Sequence, residues 1–434
     1  MGMILFLTAV IVELLLAAFG LITKSDYRKE RSVIRIAFFS CFVTLALLPV
    51  VDWNFRYYAL GFLLLLLAII GLITLMKKTE NNPEFKAGRV ILKTIGMITL
   101  FFVAALPAIL FPQNSKVVET TGEYLVATNT FTYVDTSRIE SYTDTGETRS
   151  LNVEFWYPDD VGGTYPLIVF SHGGLGVKAS NQSLYNELAS HGYVVVSIDH
   201  TYQCFFTSDD NGDTTLINMD YMQELSNEDP LSDINKSYAL YQKWMKIRMD
   251  DINFVMDHII SEAGKDNSEL LYSLVDTTKI GVMGHSLGGS AALGIGRIRD
   301  DVRAVIALES PFMWDIEGVE EGGFVFTDKI YPVPVLNVYS DSAWNILGDR
   351  PQYGANFKML SDNDDTTFNV YISGVGHLAL TDFALTSPFL TGFLDGKKQT
   401  TEAVHCLKII NKISLEFFNT YLKGEGEFTS EGTY

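Results

Sequence analysis

Apolar positions crowd the first hundred or so residues of this chain and then give way to shorter, regularly spaced runs. Four early stretches, 3–23, 33–51, 57–76 and 90–111, are each apolar over about the 20 residues that a bilayer-crossing helix needs. They predict an all-α four-helix transmembrane segment over 1–114. From residue 115 the pattern changes. "GEYLVATNTFTYVDTSR" and "SLNVEFWYP" alternate apolar with polar residues, as half-buried antiparallel strands do. Six solid apolar runs follow: "PLIVF", "YVVVSID", "KIGVMG", "VRAVIALE", "PVLNVYS" and "FNVYISG". Runs of that kind are strands covered on both faces. Helical stretches separate several of them, so 115–434 reads as an α/β domain with a mostly parallel sheet and helices on both sides. Residues 202–235, with "SDDNGD" and "SNEDPLSD", break the rhythm and read as a surface loop or lid. "DDNGD" lacks the rest of a twelve-residue calcium loop.

Charge follows the same division. Residues 1–114 hold 11 Lys or Arg and 6 Asp or Glu; of the chain's 32 basic and 52 acidic residues, 21 and 46 remain for 115–434. The outer domain therefore has a net charge of about −25, which repels phosphate backbones and excludes nucleic acid as the expected partner. In the first 114 residues, Lys24, Arg28, Lys29 and Arg31 occupy the first connection and Lys77, Lys78, Lys86 and Arg89 the third, against Arg56 alone in the second. Basic connections stay in the cytoplasm. This predicts a multi-pass integral membrane protein whose large domain is extracytoplasmic. Glu13 lies in mid-span, where a lone carboxylate costs about 2.5 kcal/mol or more, so it should face the bundle and either find a partner or be protonated. Three cysteines, Cys41, Cys204 and Cys406, build no disulfide framework.

The chemistry centres on "KIGVMGHSLGGSAALG". Ser286 stands between Gly284 and Gly288 where a strand run becomes a helical run. A serine on such a turn projects its hydroxyl above the sheet edge, and crowding there demands glycine at the flanks. The helix that follows aims its first N–H groups at the same space. "FSHGGLG", at the end of the first solid strand, supplies further donors. The expected oxyanion hole is the N–H of Leu287 with that of Gly174, Gly173 being the neighbouring alternative. Among seven histidines, only His377 falls after the nucleophile in a loop behind the last strand, which matches the chain order serine, acid, histidine. The acid has two candidates: Asp341, at the strand end usual for this role, and Glu309, which ends the preceding strand. Phe312, Trp314 and Trp344 follow those two strands and are candidates for an acyl pocket. No metal or organic cofactor is implied.

Together, "VEFWYP", "VFSHGGLG", "LASHGYVVVSIDH", "KIGVMGHSLGG", "VIALES" and "GVGHLALTDF" resemble the α/β-hydrolase superfamily and, within it, the platelet-activating factor acetylhydrolases. The resemblance implies an α/β-hydrolase fold, Ser286 as nucleophile and His377 as base. It also implies an acid taken from the strand before the usual one, where this chain has Glu309 in place of the family's Asp. The expected function is a serine carboxylic-ester hydrolase acting on lipid or phospholipid acyl esters. Its competitors are a hydrolase of polyester, peptide or cell-wall esters, and a non-catalytic membrane sensor with a hydrolase-like outer domain.

Overall fold

The computed structural model describes residues 1–77, 85–113, 117–159, 162–265, 269–361, 365–396 and 399–434. Lys78 and the expected boundary between 114 and 115 lie outside the described residues. The chain divides into two compact units, one of Met1–Ser115 with Thr386–Leu390, the other of Lys116–Leu385 with Thr391–Tyr434.

The first unit holds helices α1 (Gly2–Thr23), α2 (Arg28–Leu47), α3 (Phe55–Met76) and α4 (Ala87–Leu110). Their inward faces meet through Phe6, Ala9, Phe42, Leu60, Leu64, Phe101 and Ala105. Their outward faces keep Leu15, Ile22, Ile70, Leu92 and Val103 exposed, a pattern that suits lipid and not water. Among the described residues, α1, α3 and α4 are long and apolar enough to cross a membrane. All four expected helices are present, but by length and composition three of them qualify as spans, not four. Helix α2 falls short because Arg28, Lys29, Glu30, Arg31 and Arg35 fill its first two turns. Two of those charges answer the expectation for Glu13. Its buried carboxylate accepts from Arg31 Nη1 at 2.7 Å and from Arg35 Nη2 at 3.0 Å.

The second unit opens with β1 (Val126–Ile139) and β2 (Thr148–Pro158), then β3 (Tyr165–Ser171), α5 (Gln182–Ser190) and β4 (Val194–Asp199). The segment expected as irregular is largely built: β5 (Phe206–Ser208) and β6 (Thr214–Leu216) pair as a hairpin, and α6 (Met219–Asn227) follows. The calcium-like stretch is a tight turn in which Asp209 Oδ1 accepts from the N–H groups of Asn211 and Asp213, both at 2.9 Å. Next come α7 (Ile234–Ala263), α8 (Leu270–Ser273), β7 (Val275–His285), α9 (Leu287–Ile298), β8 (Val302–Leu308), a hairpin of β9 (Ile316–Glu320) and β10 (Gly323–Phe326), β11 (Val335–Tyr339) and β12 (Thr367–Tyr371). The helix Ala403–Phe418 and a short β13 (Gly432–Thr433) close the chain.

Among the described residues the main sheet has nine strands, in the order β1-β2-β4-β3-β7-β8-β11-β12-β13. β1 and β2 pair antiparallel, as do β2 and β4; every pairing from β4 through β13 is parallel. The six solid apolar runs are β3, β4, β7, β8, β11 and β12. Side chains alternate across a strand. Leu167 and Val169 therefore enter the core under α7 and α9, while Ile168 and Phe170 enter the core under α5 and Ala403–Phe418. Covering on both faces is why these strands carry no polar alternation.

Candidate active site

Parallel strands β7, β8, β11 and β12 end on the same edge of the sheet, and the expected chemistry gathers there. Ser286 follows β7 and precedes α9 with φ 55° and ψ −125°. A side chain with positive φ costs about 1–3 kcal/mol, so the surroundings must impose it. Two observations show how. Ser286 N–H donates to Leu308 O of β8 at 2.8 Å, tying the turn to the neighbouring strand. The flanking glycines allow no side chain: a Cβ on Gly284 would stand 2.5 Å from the carbonyl carbon of Gly288, and one on Gly288 would stand 2.0 Å from Ser171 O. The bracketing of Ser286 by glycine is thus steric.

Glu309 leaves β8 with φ 50°. Its side chain is 2% exposed, and Oε1 lies 2.7 Å from His377 Nδ1. Oε2 accepts from Ser340 N–H at 2.6 Å. The geometry therefore fixes the tautomer: Nδ1–H donates to the carboxylate and Nε2 is free to accept. Burial pushes the imidazolium pKa down, but the hydrogen bond and charge of Glu309, with a further contribution from Asp395, outweigh it. The net shift is upward from 6.5. The His377 side chain keeps 30% exposure, so a substrate can reach it.

Asp341 does not touch His377 among these contacts. Its Oδ1 accepts from Tyr371 Oη at 2.6 Å and from Gly374 N–H at 3.1 Å, bracing the loop that carries the histidine. Ser342, which sequence reasoning passed over, adds a second brace by accepting His377 N–H at 3.1 Å.

His285 joins the two halves. Its ring lies 4.5 Å from that of His377, and its Nε2 donates to His377 O at 3.0 Å. The residue after it is Ser286. Among the described residues Ser286 Oγ makes no hydrogen bond, so the expected serine–histidine contact is not closed, while His377 is held by Glu309 and Ser342.

The expected oxyanion donors frame the same space. A Cβ on Gly173 would sit 3.4 Å from Ser286 Cβ. The N–H groups of Gly173, Gly174 and Leu287 donate to no partner among the described residues, which suits a hole awaiting an anion. Of the expected pocket residues, Phe312 is buried edge-on against Tyr331. Trp314 is half-buried near Gly294. Trp344 stacks on Tyr371 at 5.0 Å, beside Asp341.

Behind this site lies a second serine–histidine–acid chain that the sequence did not announce. Ser171 Oγ is 2.8 Å from His200 Nε2, and His200 Nδ1 is 2.8 Å from Asp251 Oδ2. All three side chains are buried. Burial, with the positive charge of Arg248, pushes the His200 pKa down to about 4 against the pull of Asp251. Asp251 also pairs with Arg149 at 2.6 Å and Arg138 at 2.9 Å; its burial is outweighed by Arg149 and by the hydrogen bond from His200, which hold its carboxyl well below the usual range. His172, Asp199 and Cys204 cluster nearby with ligand atoms within 4.8 Å of one another. Asp199 already accepts from Lys178 Nζ at 2.9 Å and from Thr207 Oγ1 at 2.8 Å, so the lysine supplies the cation there.

Comparison with known proteins gives one consistent picture. The sequence profile of the family described as platelet-activating factor acetylhydrolase, isoform II, matches residues 142–432. The platelet-activating factor acetylhydrolase of Canis lupus familiaris is 26% identical over 284 residues, 61% of this chain and 59% of that protein. That of Gallus gallus is 24% identical, over 62% of this chain and 64% of that protein. The chain thus spans about three-fifths of the length of these curated relatives. Cutinase 1 of Thermobifida cellulosilytica is 27% identical over 153 residues, 35% of this chain and 42% of that protein. Among solved structures, a ferulic acid esterase from Streptomyces cinnamoneus superposes with a TM-score of 0.55 at 22% identity, over 72% of this chain and 94% of the esterase, a likeness of fold.

Proposed function

The chain belongs to the platelet-activating factor acetylhydrolase isoform II family, and from that premise we propose that it is a serine hydrolase of carboxylic esters, acting on acyl esters of lipids or phospholipids. Ser286 attacks the ester carbonyl. His377 Nε2 takes the hydroxyl proton and returns it to the leaving alkoxide, and a water activated by the same nitrogen then releases the acid. Glu309 holds the imidazole and stabilises its charged form; Asp341 steadies the histidine loop. Backbone N–H groups of Leu287 and of Gly173 or Gly174 receive the oxyanion. The observation that carries the reading is the 2.7 Å contact from Glu309 to His377 Nδ1, at the strand edge where β7 delivers Ser286.

We further place the helical unit in a bilayer and the large unit on the extracytoplasmic side. Three helices suit such a bilayer. The orientation requires α2 to cross as well. With α2 crossing, the connections rich in Lys and Arg fall on one side; with three crossings they fall on opposite sides. Pairing of Arg31 and Arg35 with Glu13 lowers the cost of carrying those charges inward. Cysteine labelling of intact cells at position 24 and at position 425 tests this, with 425 expected to react and 24 to be protected.

The activity is tested with short p-nitrophenyl esters and a fluorophosphonate probe. Wild-type protein should hydrolyse the esters and label, whereas Ser286→Ala should do neither. Equal rates for the two proteins would end the reading. A panel of phospholipids against polyesters then separates the lipid substrate from the polymer esters that similarity to cutinases brings to mind.

A further inference from the structure

The oxyanion loop is gripped from behind. Arg248, on α7, is fully buried, and among the described residues it has no carboxylate partner. A buried guanidinium without a counter-ion is costly, so its surroundings must supply oxygen dipoles in place of an acid. Those oxygens come from the oxyanion loop and the segment beside it. Nη1 donates to His172 O at 2.5 Å, and Nη2 to Gly173 O at 3.4 Å. Nε donates to Gln203 Oε1 at 3.0 Å, and Nη2 is shared with Gln203 O at 3.2 Å and Tyr221 Oη at 3.4 Å. Tyr221, also buried, passes the grip on by donating its hydroxyl proton to Gly174 O at 3.0 Å.

Three consecutive carbonyls, of residues 172, 173 and 174, are therefore held toward one buried cation and its phenol. Each peptide unit is planar and trans, so the C=O of one residue and the N–H of the next point in opposite directions; the chain has no cis peptide bond among the described residues. Fixing the carbonyls of His172 and Gly173 fixes the N–H groups of Gly173 and Gly174 on the far side. Those N–H groups have no partner among the described residues, and Gly173 borders Ser286. A cation behind a peptide also polarises it, making its N–H a stronger donor.

We propose that Arg248 and Tyr221 are positioning residues of the oxyanion hole: they orient and polarise the peptides whose N–H groups stabilise the tetrahedral intermediate formed on Ser286. The inference rests on the hydrolase reading above. Neither residue touches the reacting atoms. Their contribution grows with charge on the carbonyl oxygen, so it appears in kcat more than in substrate binding.

The test compares wild type, Tyr221→Phe, Arg248→Lys and Arg248→Met on a p-nitrophenyl ester and on its thionoester. Sulfur accepts hydrogen bonds poorly, so a well-aimed oxyanion hole strongly prefers the oxygen ester. Arg248→Met is expected to lower kcat on the ester by about 10²-fold, as loss of an oxyanion donor does, with KM changed less than about twofold. Its preference for the ester over the thionoester should shrink by a similar factor. Tyr221→Phe should move both quantities in the same direction by about 3–10-fold, the scale of one hydrogen bond. Arg248→Lys, which keeps the charge and loses the fork, should fall between. Thermal melts establish which variants are folded; if Arg248→Met is not, Tyr221→Phe and Arg248→Lys decide. An unchanged ester-to-thionoester preference in the folded variants overturns the proposal, as does a rise in KM with kcat intact. Ser286→Ala, run alongside, separates the two ideas: if it keeps wild-type activity, the hydrolase reading itself falls and takes this proposal with it.

Discussion

Two serine–histidine–acid sets stand within one domain, alike in the hydrogen bond from histidine Nδ1 to its acid and in little else. Ser171–His200–Asp251 has good contacts, at 2.8 Å and 2.8 Å, and the same histidine tautomer that a nucleophile needs. It is sealed, Asp251 is neutralised by two arginines, and its histidine is held neutral down to about pH 4. Among the described residues Ser286–Glu309–His377 lacks the closed serine contact, yet its histidine is part-exposed, its pKa is raised, and its serine sits on a strained turn beside three N–H groups that have no partner there. Access, strain and unspent donors are what favour Ser286–Glu309–His377 as the proposed triad; short hydrogen bonds alone would not. The buried chain serves as a foundation. It anchors Ser171, the last residue of β3 before the oxyanion loop, to α7, one turn along from Arg248.

The comparison is broken most decisively by the two serines. Ser286→Ala should lower kcat by about 10⁶-fold, whereas Ser171→Ala should cost less than about tenfold; reversed magnitudes would exchange the roles. The acids come next. Glu309→Gln leaves the histidine with the wrong tautomer and should lower kcat by about 10³–10⁴-fold with little loss of stability. Asp251→Asn takes one of two carboxylate partners from buried Arg149 and half-buried Arg138 and should act on folding, lowering stability by about 3 kcal/mol in a denaturant titration. Asp341→Asn, which loosens only the histidine loop, should stay within about tenfold of wild type in kcat.

Acidity gives a subtler separation. Proton abstraction needs neutral His377, so kcat/KM should rise with pH through a midpoint above 6.5. In Glu309→Gln that midpoint should move down. His377 binds its proton more tightly folded than unfolded, so its share of stability is present below about 6.5 and lost as pH rises through the folded value. His200 is opposite: its folded pKa is depressed, so its share is present above 6.5 and lost as pH falls toward about 4. Melting temperature against pH in Ser286→Ala, where activity cannot interfere, should show the acid-side loss.

The smallest effect concerns Ser171 itself. Removing its hydroxyl leaves His200 Nε2 without a donor in a dry site, a cost of about 1–3 kcal/mol in stability.

The linear order of residues determined the parallel sheet, because a strand covered on both faces must be apolar at every position, and six such runs are hard to read otherwise. It also singled out Ser286, because only glycine fits at 284 and 288 on that turn, and His377 as the candidate base, because the order expected for this fold puts the base after the nucleophile. It overcounted the apolar helices by one, since a 19-residue window at 33–51 takes in Arg35 but leaves out Arg28, Lys29, Glu30 and Arg31 at the start of α2; the partner of Arg31 and Arg35, Glu13, lies on another helix. The choice between Asp341 and Glu309 was left to three dimensions: both end neighbouring strands, and only the positive φ of Glu309 swings its carboxylate onto His377 Nδ1. Arg248 and Tyr221 left no local signal at all. Their meaning depends on which carbonyls α6 and α7 happen to face, and that is a property of packing between segments some fifty to eighty residues apart in the chain.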